Sequence, residues 1–103
     1  MNSTQIRCFL EAARLRSFSR AAEALYLTQP SVSRYIGQLE QEWGVRLFDR
    51  SGKAVALTPQ GEDYYRLCLR CQAEFDALKD RHRALSDQTA LSLQYSIFPA
   101  WNI

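Results

Sequence analysis

The chain has 103 residues, of which 47% are hydrophobic and 23% charged, a balance typical of a folded globular protein rather than a disordered one. This length allows one small domain with an appendage, and no apolar run approaches the roughly 20 residues that cross a bilayer. The first residues lack a basic stretch followed by an apolar core, so the sequence predicts no secretory signal and a cytoplasmic location.

The net charge of +2 decides little, but the cations are unevenly distributed. Residues 1–58 carry eight Lys and Arg side chains against five Asp and Glu, whereas the remainder carries five against six. The positive excess therefore lies in the first half, which is where a polyanion would bind.

Two helices are predicted near the N-terminus. The first covers about residues 4–15, with Ser3 or Thr4 as its cap and with apolar residues recurring at helical spacing along one face: Ile6, Phe9, Leu10 and Ala13. The second covers about residues 19–25 and can be capped by Ser17 or Ser19. Its inner face consists of Ala21, Ala22 and Leu25. The small side chains of the alanine pair suit the close contact of two helices that cross at a steep angle.

A third helix is predicted over residues 30–43. Thr28 can cap it, Pro30 in the first turn costs no hydrogen bond, and Gly44 can end it. Its buried face has the spacing i, i+4, i+7, i+11: Val32, Ile36, Leu39 and Trp43. Only about three residues separate it from the second helix, so the pair is predicted to form a helix-turn-helix.

A β-hairpin, or wing, is predicted over residues 45–57, with Gly52 and Lys53 at its turn. Apolar residues flank the turn on both sides: Val45, Leu47 and Phe48 before it, and Val55 and Leu57 after it. Thr58 and Pro59 then begin a helix that continues to about residue 86, roughly 40 Å at 1.5 Å per residue. Residues 90–98 alternate as a strand does.

The long helix carries apolar and intermediate residues at alternating intervals of four and three, the heptad spacing of a two-helix seam. They are Tyr64, Cys68, Cys71, Phe75, Leu78, His82 and Leu85. The sequence therefore predicts a homodimer through this seam. The alternative is that the helix packs back on its own domain through Leu67 and Leu69, and the two contacts are compatible.

The C-x-x-C of Cys68 and Cys71 suggests redox chemistry or metal binding, but no βαβ pattern accompanies it. A zinc site needs about four ligands, and only Cys8 and His82 remain, far away in sequence. We interpret the cysteines as structural and predict no metal and no cofactor. With a single histidine and no Gly-rich phosphate loop or paired-carboxylate cleft, the chain is not expected to be an enzyme.

The third helix has a polar face opposite its buried one: Gln29, Ser31, Ser33, Arg34, Tyr35, Gly37 and Gln38. Recognition helices read bases with residues near their N-termini. Arg34 can donate two hydrogen bonds to guanine, and Gln29 can form a bidentate pair with adenine. Such a face is also what any solvated helix shows, but the helix-turn-helix spacing and the wing favour DNA. A winged helix that docks a protein is the alternative.

Three stretches resemble the LysR-type transcriptional regulators. Residues 17–25 are similar to the family's second helix, residues 28–40 to its recognition helix, and residues 44–50 and 57–61 to its wing and the start of its linker helix. The resemblance covers about residues 1–90. It implies a dimeric or tetrameric DNA-binding regulator.

The resemblance also implies DNA contacts at the positions of Gln29, Pro30, Ser33 and Arg34, and a minor-groove contact from a basic wing tip at Lys53. Gly37 departs from the family, which has a long polar residue there, and residues 54–56 of the wing lack charge. Family members continue into a two-lobed effector-binding domain, of which this chain holds only what resembles the first strand. We therefore expect it to bind DNA without a small-molecule effector.

The predicted fold class is mainly α, a winged helix-turn-helix of three helices and a hairpin followed by a long dimerisation helix. The predicted divisions are a DNA-binding domain at 1–58, the linker helix at 59–88 and the beginning of an effector domain at 89–103. The predicted function is sequence-specific binding of double-stranded DNA by a bacterial transcriptional regulator. The predicted DNA contacts are Gln29, Pro30, Ser31, Ser33, Arg34, Gln38 and Lys53.

Overall fold

A computed structural model describes residues 1–52 and 54–85 of the chain. Within these residues the helices are α1 (Ser3–Leu15), α2 (Phe18–Leu25), α3 (Gln29–Trp43) and α4 (Pro59–Leu85). The strands β1 (Phe48–Asp49) and β2 (Ala56–Leu57) pair antiparallel, with Phe48 opposite Leu57. This order confirms the predicted fold class. The predicted strand at 90–98, the wing-tip Lys53 and the side chain of Leu85 lie outside the described residues.

The start of α1 is capped by Asn2, so the predicted cap at Ser3 or Thr4 is wrong. The Asn2 side chain accepts a hydrogen bond from the Gln5 N–H at 2.8 Å, and the Gln5 side chain accepts one from the Asn2 N–H at 3.1 Å. This reciprocal capping box satisfies two N–H groups that the first turn would otherwise leave unpaired. Ser3 and Thr4 belong to that turn and cannot do the same.

The helix-turn-helix has the caps that the sequence predicts. Ser17 caps α2 through the Arg20 N–H, and Thr28 caps α3 through the Ser31 N–H. Gly44 ends α3 with a left-handed φ of 71°, which glycine adopts without strain. In the turn between α2 and α3 the left-handed position is occupied by Tyr26 rather than by a glycine, at φ 57° and with the residue 96% exposed.

The core is built around Phe9, which is fully buried. Its ring makes edge-to-face contacts with Trp43, Phe48 and Tyr65, with centroids 6.1, 5.8 and 6.2 Å away. The predicted inner face of α3 is buried at Val32, Ile36 and Leu39 and half-buried at Trp43, and the alanine pair of α2 is buried as well. Burial of this kind contributes ~1.5–3 kcal/mol per large side chain to the free energy of folding, so it sets the orientation of α3.

The N-terminal half of α4 packs on the winged domain. The Thr58 N–H donates to the Leu47 carbonyl at 3.0 Å, and Gly61 is buried against the same carbonyl. Cys68 is part of the core, and four partly buried residues pack against that core: Tyr64, Tyr65, Cys71 and Phe75. Leu67 and Leu69, offered above for this contact, are exposed instead, so that assignment is wrong.

Candidate nucleic-acid interface

The polar face of α3 lies on the side away from the core. Gln29, Pro30, Arg34 and Gln38 are exposed, and Ser31 and Ser33 are half-buried. The Arg34 guanidinium carbon lies 5.4 Å from the centroid of the neighbouring Tyr35 ring. All six predicted contacts of this helix are therefore at or near the surface, within three consecutive turns.

An open cleft of about 420 Å³ lies between the N-terminal ends of α2 and α3 and the wing. Polar and cationic residues dominate its lining, among them Arg16, Ser17, Ser19, Gln29, Ser33 and Arg50. No acidic residue of the described chain lines it. Two arginines, three hydroxyls and an amide form a lining of hydrogen-bond donors, which suits an anion such as a backbone phosphate.

Arg50 is held at the wall of this cleft by contacts behind it. Its guanidinium carbon lies 4.8 Å from the centroid of the buried Phe18 ring, and its Nη2 lies 3.8 Å from Glu40 Oε1. Stacking on an aromatic ring and pairing with a carboxylate restrict the side chain before any ligand binds. The guanidinium has five N–H donors, so these contacts leave others for the cleft.

Glu40 connects the recognition helix to the wing. Its side chain is only 10% exposed, and Oε2 accepts hydrogen bonds from the backbone N–H groups of Leu47 at 2.8 Å and Phe48 at 3.3 Å. Charge-assisted hydrogen bonds of this kind are about twice as strong as neutral ones. A single α3 side chain thus holds the first strand of the wing and the arginine that follows it.

Two of the predicted contacts are themselves hydrogen-bonded to other helices. The Ser19 hydroxyl of α2 donates to Gln29 Oε1 at 2.9 Å, and the Gln5 Nε2 of α1 donates to Gln38 Oε1 at 3.0 Å. The α-amino group of Met1 pairs with Glu42 farther along α3. The beginning of the chain therefore lies along the C-terminal half of the recognition helix.

Sequence patterns alone do not identify the cleft residues Arg16, Ser19 and Arg50, or Glu40, as site residues. By type and position Ser19 is a cap candidate, and Arg50 belongs to the stretch that resembles the family's wing. Arg50 stacks on Phe18, which is 32 positions earlier in the chain. No periodicity relates residues so distant, so only the folded arrangement of α2 and the wing brings them together.

The predicted seam on α4 divides into two parts. Tyr64, Cys68, Cys71 and Phe75 pack on the chain's own core, whereas Leu78 and His82 are exposed. The exposed Leu67 lies eleven residues before Leu78, about three helical turns, so the two leucines lie on the same side. The dimer seam stays a prediction, and Leu67 and Leu78 are exposed large apolar residues on this side of the described part of α4.

Two of the cysteines are buried thiols of low reactivity. Burial raises the pKa of the Cys8 thiol and that of the Cys68 thiol to about 11, so both are protonated and weakly nucleophilic near neutral pH.

In the described part of the chain no three His, Cys, Asp or Glu residues are grouped as a metal site would need. Its helices also include none that is long and apolar enough to cross a membrane.

Comparison with known proteins places this architecture in a family. An uncharacterized HTH-type transcriptional regulator of the ibpB-leuC intergenic region in Azotobacter vinelandii is 42% identical over 87 residues, which are 84% of this chain and 58% of that protein. The HTH-type transcriptional regulator HdfR of Salmonella newport is 37% identical over 107 residues, 98% of this chain and 38% of HdfR. The chain thus spans less than two thirds of the length of either relative.

The solved structures agree with these relatives. The crystal structure of the BenM DNA-binding domain in complex with benA site 1 DNA superimposes with a TM-score of 0.77 at 28% identity, covering 85% of this chain and 99% of that one. The family model for bacterial regulatory helix-turn-helix proteins of the lysR family matches residues 3–62, more than half of the chain. The chain therefore belongs to the LysR family of bacterial regulatory helix-turn-helix proteins.

Proposed function

We propose that the chain binds double-stranded DNA sequence-specifically as part of a bacterial transcriptional regulator, with α3 in the major groove and the wing toward the minor groove. The observation that carries this proposal is the donor-lined, acid-free cleft of Arg16 and Arg50 beside the polar N-terminal half of α3. The likeness to a DNA-binding domain solved on its DNA supports it. A regulator bound to bacterial DNA works in the cytoplasm, and we assign it no catalytic step.

Within this proposal the contacts divide into two kinds. Arg34, Gln29 and Gln38 are exposed on α3 and have the donors and acceptors that read base edges. Arg16, Ser17 and Arg50 line the cleft and suit backbone phosphates, which position a protein on DNA without reading its sequence. Lys53 remains the predicted minor-groove contact at the wing tip, outside the described residues.

Replacing Arg34 with alanine tests the base-reading contact. We expect binding to the specific site to weaken by roughly 1–3 kcal/mol and the preference at one base pair to relax, because a bidentate arginine–guanine pair is lost. Fluorescence anisotropy on the selected operator and on random duplex measures both effects. Equal losses on the two duplexes would show that Arg34 contacts only phosphate.

Replacing Arg50 with alanine tests the phosphate-binding cleft. We expect weaker binding to specific and random DNA alike, and a log–log salt dependence that is shallower by about one phosphate contact. Arg66→Ala is the matched control, because it removes the same charge from an exposed position on α4 that pairs with Asp63. An Arg50→Ala variant with the salt slope of the Arg66→Ala variant would exclude Arg50 from the interface.

We also propose the divisions stated from the sequence, with residues 1–58 binding DNA and residues 59–88 forming a linker helix that dimerises. The exposed leucines Leu67 and Leu78 on one side of α4 support this assembly. A two-fold dimer would present two copies of α3 to two half-sites, whose spacing the helix pair would set.

A further inference from the structure

Gln5 has an amide orientation that its neighbours determine completely. The backbone N–H of Asn2 can only donate, so the Gln5 atom that meets it at 3.1 Å is the oxygen. The Gln5 nitrogen therefore points the other way, where it donates to Gln38 at 3.0 Å. The Gln38 atom that receives this bond must be its oxygen, which leaves the Gln38 NH₂ group on the far side of the amide.

Gln29 is hydrogen-bonded to a partner of a different kind, which does not fix its amide. The Ser19 hydroxyl of α2 donates to the Gln29 oxygen at 2.9 Å, but a hydroxyl also accepts, so Ser19 could equally receive the Gln29 NH₂ group. Of the two glutamines proposed to read bases, Gln38 is therefore the one whose amide orientation a residue of another helix determines.

The orientation of such an amide decides which base edges it can read. In the major groove guanine presents two acceptors, N7 and O6, whereas the bidentate pair with adenine needs the amide oxygen as well as the nitrogen. An amide that offers only its NH₂ group therefore suits guanine better than adenine. Turning the Gln38 amide over would set its NH₂ group against that of Gln5 and break the bond between them, which disfavours the adenine pairing.

We propose that Gln5 is a specificity-determining positioning residue, which holds the amide of Gln38 nitrogen-outward and so favours guanine over adenine at the base pair that Gln38 faces. This inference rests on the proposed function. Gln5 does not need to touch DNA, because it acts through the glutamine that it holds.

The test begins with selection of binding sites from a random duplex library by the full 103-residue chain. Selection with Gln38→Ala identifies the base pair that Gln38 reads, as the position whose preference disappears. We expect the wild type to prefer guanine over adenine there by about two- to tenfold, the range of one hydrogen bond. A wild type that selects adenine at this position would overturn the inference.

The test for Gln5 uses Gln5→Glu, which keeps the capping box because a carboxylate accepts the Asn2 N–H as the amide oxygen does. A carboxylate cannot donate to Gln38 and instead accepts from its NH₂ group. We therefore expect the Gln38 amide to turn over and to present its oxygen, so that its base pair shifts from guanine toward the donor-bearing edges of adenine or cytosine. An unshifted preference at that base pair would refute the role of Gln5.

The outcomes separate this inference from the function on which it rests. A wild-type chain that enriches no sequence from the library would contradict sequence-specific DNA binding itself, and the inference with it. A wild-type chain that enriches a defined site, together with an unchanged preference in Gln5→Glu, would leave the function intact and refute the inference alone.

Discussion

Replacing Leu78 with aspartate is expected to turn a dimer into a monomer and to weaken binding to a two-half-site operator by about a hundredfold or more, since the second half-site then binds as a separate event. Leu78 is 39% exposed on α4, where a partner helix would bury it. A carboxylate at that position would have to be desolvated in the interface. Sedimentation at micromolar concentration measures the assembly, and anisotropy on one and two half-sites measures the coupling.

Leu69→Asp is the matched control for this experiment. Leu69 is 42% exposed on the same helix, but nine residues separate it from Leu78, two and a half turns, so it lies on the opposite side. Phe75→Asp would be harder to interpret, because Phe75 also packs on the core of its own domain. Dimerisation of Leu78→Asp at wild-type strength, or equal loss in Leu69→Asp, would rule out the proposed seam.

Replacing Gly61 with alanine is expected to lower the free energy of unfolding by about 3 kcal/mol, the upper part of the range for overpacking. A Cβ at this position would lie 2.1 Å from the Leu47 oxygen and 2.9 Å from its carbonyl carbon. Both are backbone atoms, so the clash cannot be relieved by a side-chain rotation and α4 must move away from the wing. The thermal midpoint should drop by roughly 10 °C or more.

Gly37→Ala provides the opposite case within the same chain. Gly37 lies inside α3, and no heavy atom would come within 4 Å of an added Cβ. Alanine there should raise the free energy of unfolding by roughly 0.5–1 kcal/mol, because glycine loses more backbone entropy in a helix. Calorimetry on the two variants compares them directly. A Gly61→Ala protein as stable as Gly37→Ala would show that the contact with Leu47 is easily relieved.

The helical elements could be predicted because their signals are local. Thr28, Pro30 and Gly44 mark the ends of α3, and the spacing of Val32, Ile36 and Leu39 identifies the buried face without any tertiary information. The cap at Asn2 was missed although its partner Gln5 is at the required spacing. Ser3 and Thr4 are equally good cap residues by type, and only the reciprocal bonds with Gln5 distinguish Asn2 from them.

The face that α4 turns to its own domain could not be predicted in the same way. The heptad spacing that includes Cys68 and Phe75 is expected for a helix that packs on a partner helix and equally for one that packs on its own domain core. In both cases one line of residues along the helix surface is buried. The site shows a similar limit. Residue types identified Gln38 as a candidate contact, but the orientation of its amide depends on Gln5, which belongs to another helix.

The carboxylate of Glu40 has a consequence for the DNA rather than for the protein. Because it bonds to the backbone of Leu47 and Phe48, the recognition helix and the wing are expected to keep one separation when they bind. A duplex must then adapt its own bend and groove width to that separation, at an energy that depends on the stiffness of its base steps. We therefore expect base pairs that no side chain touches, between the major-groove and minor-groove contacts, to affect affinity through their flexibility.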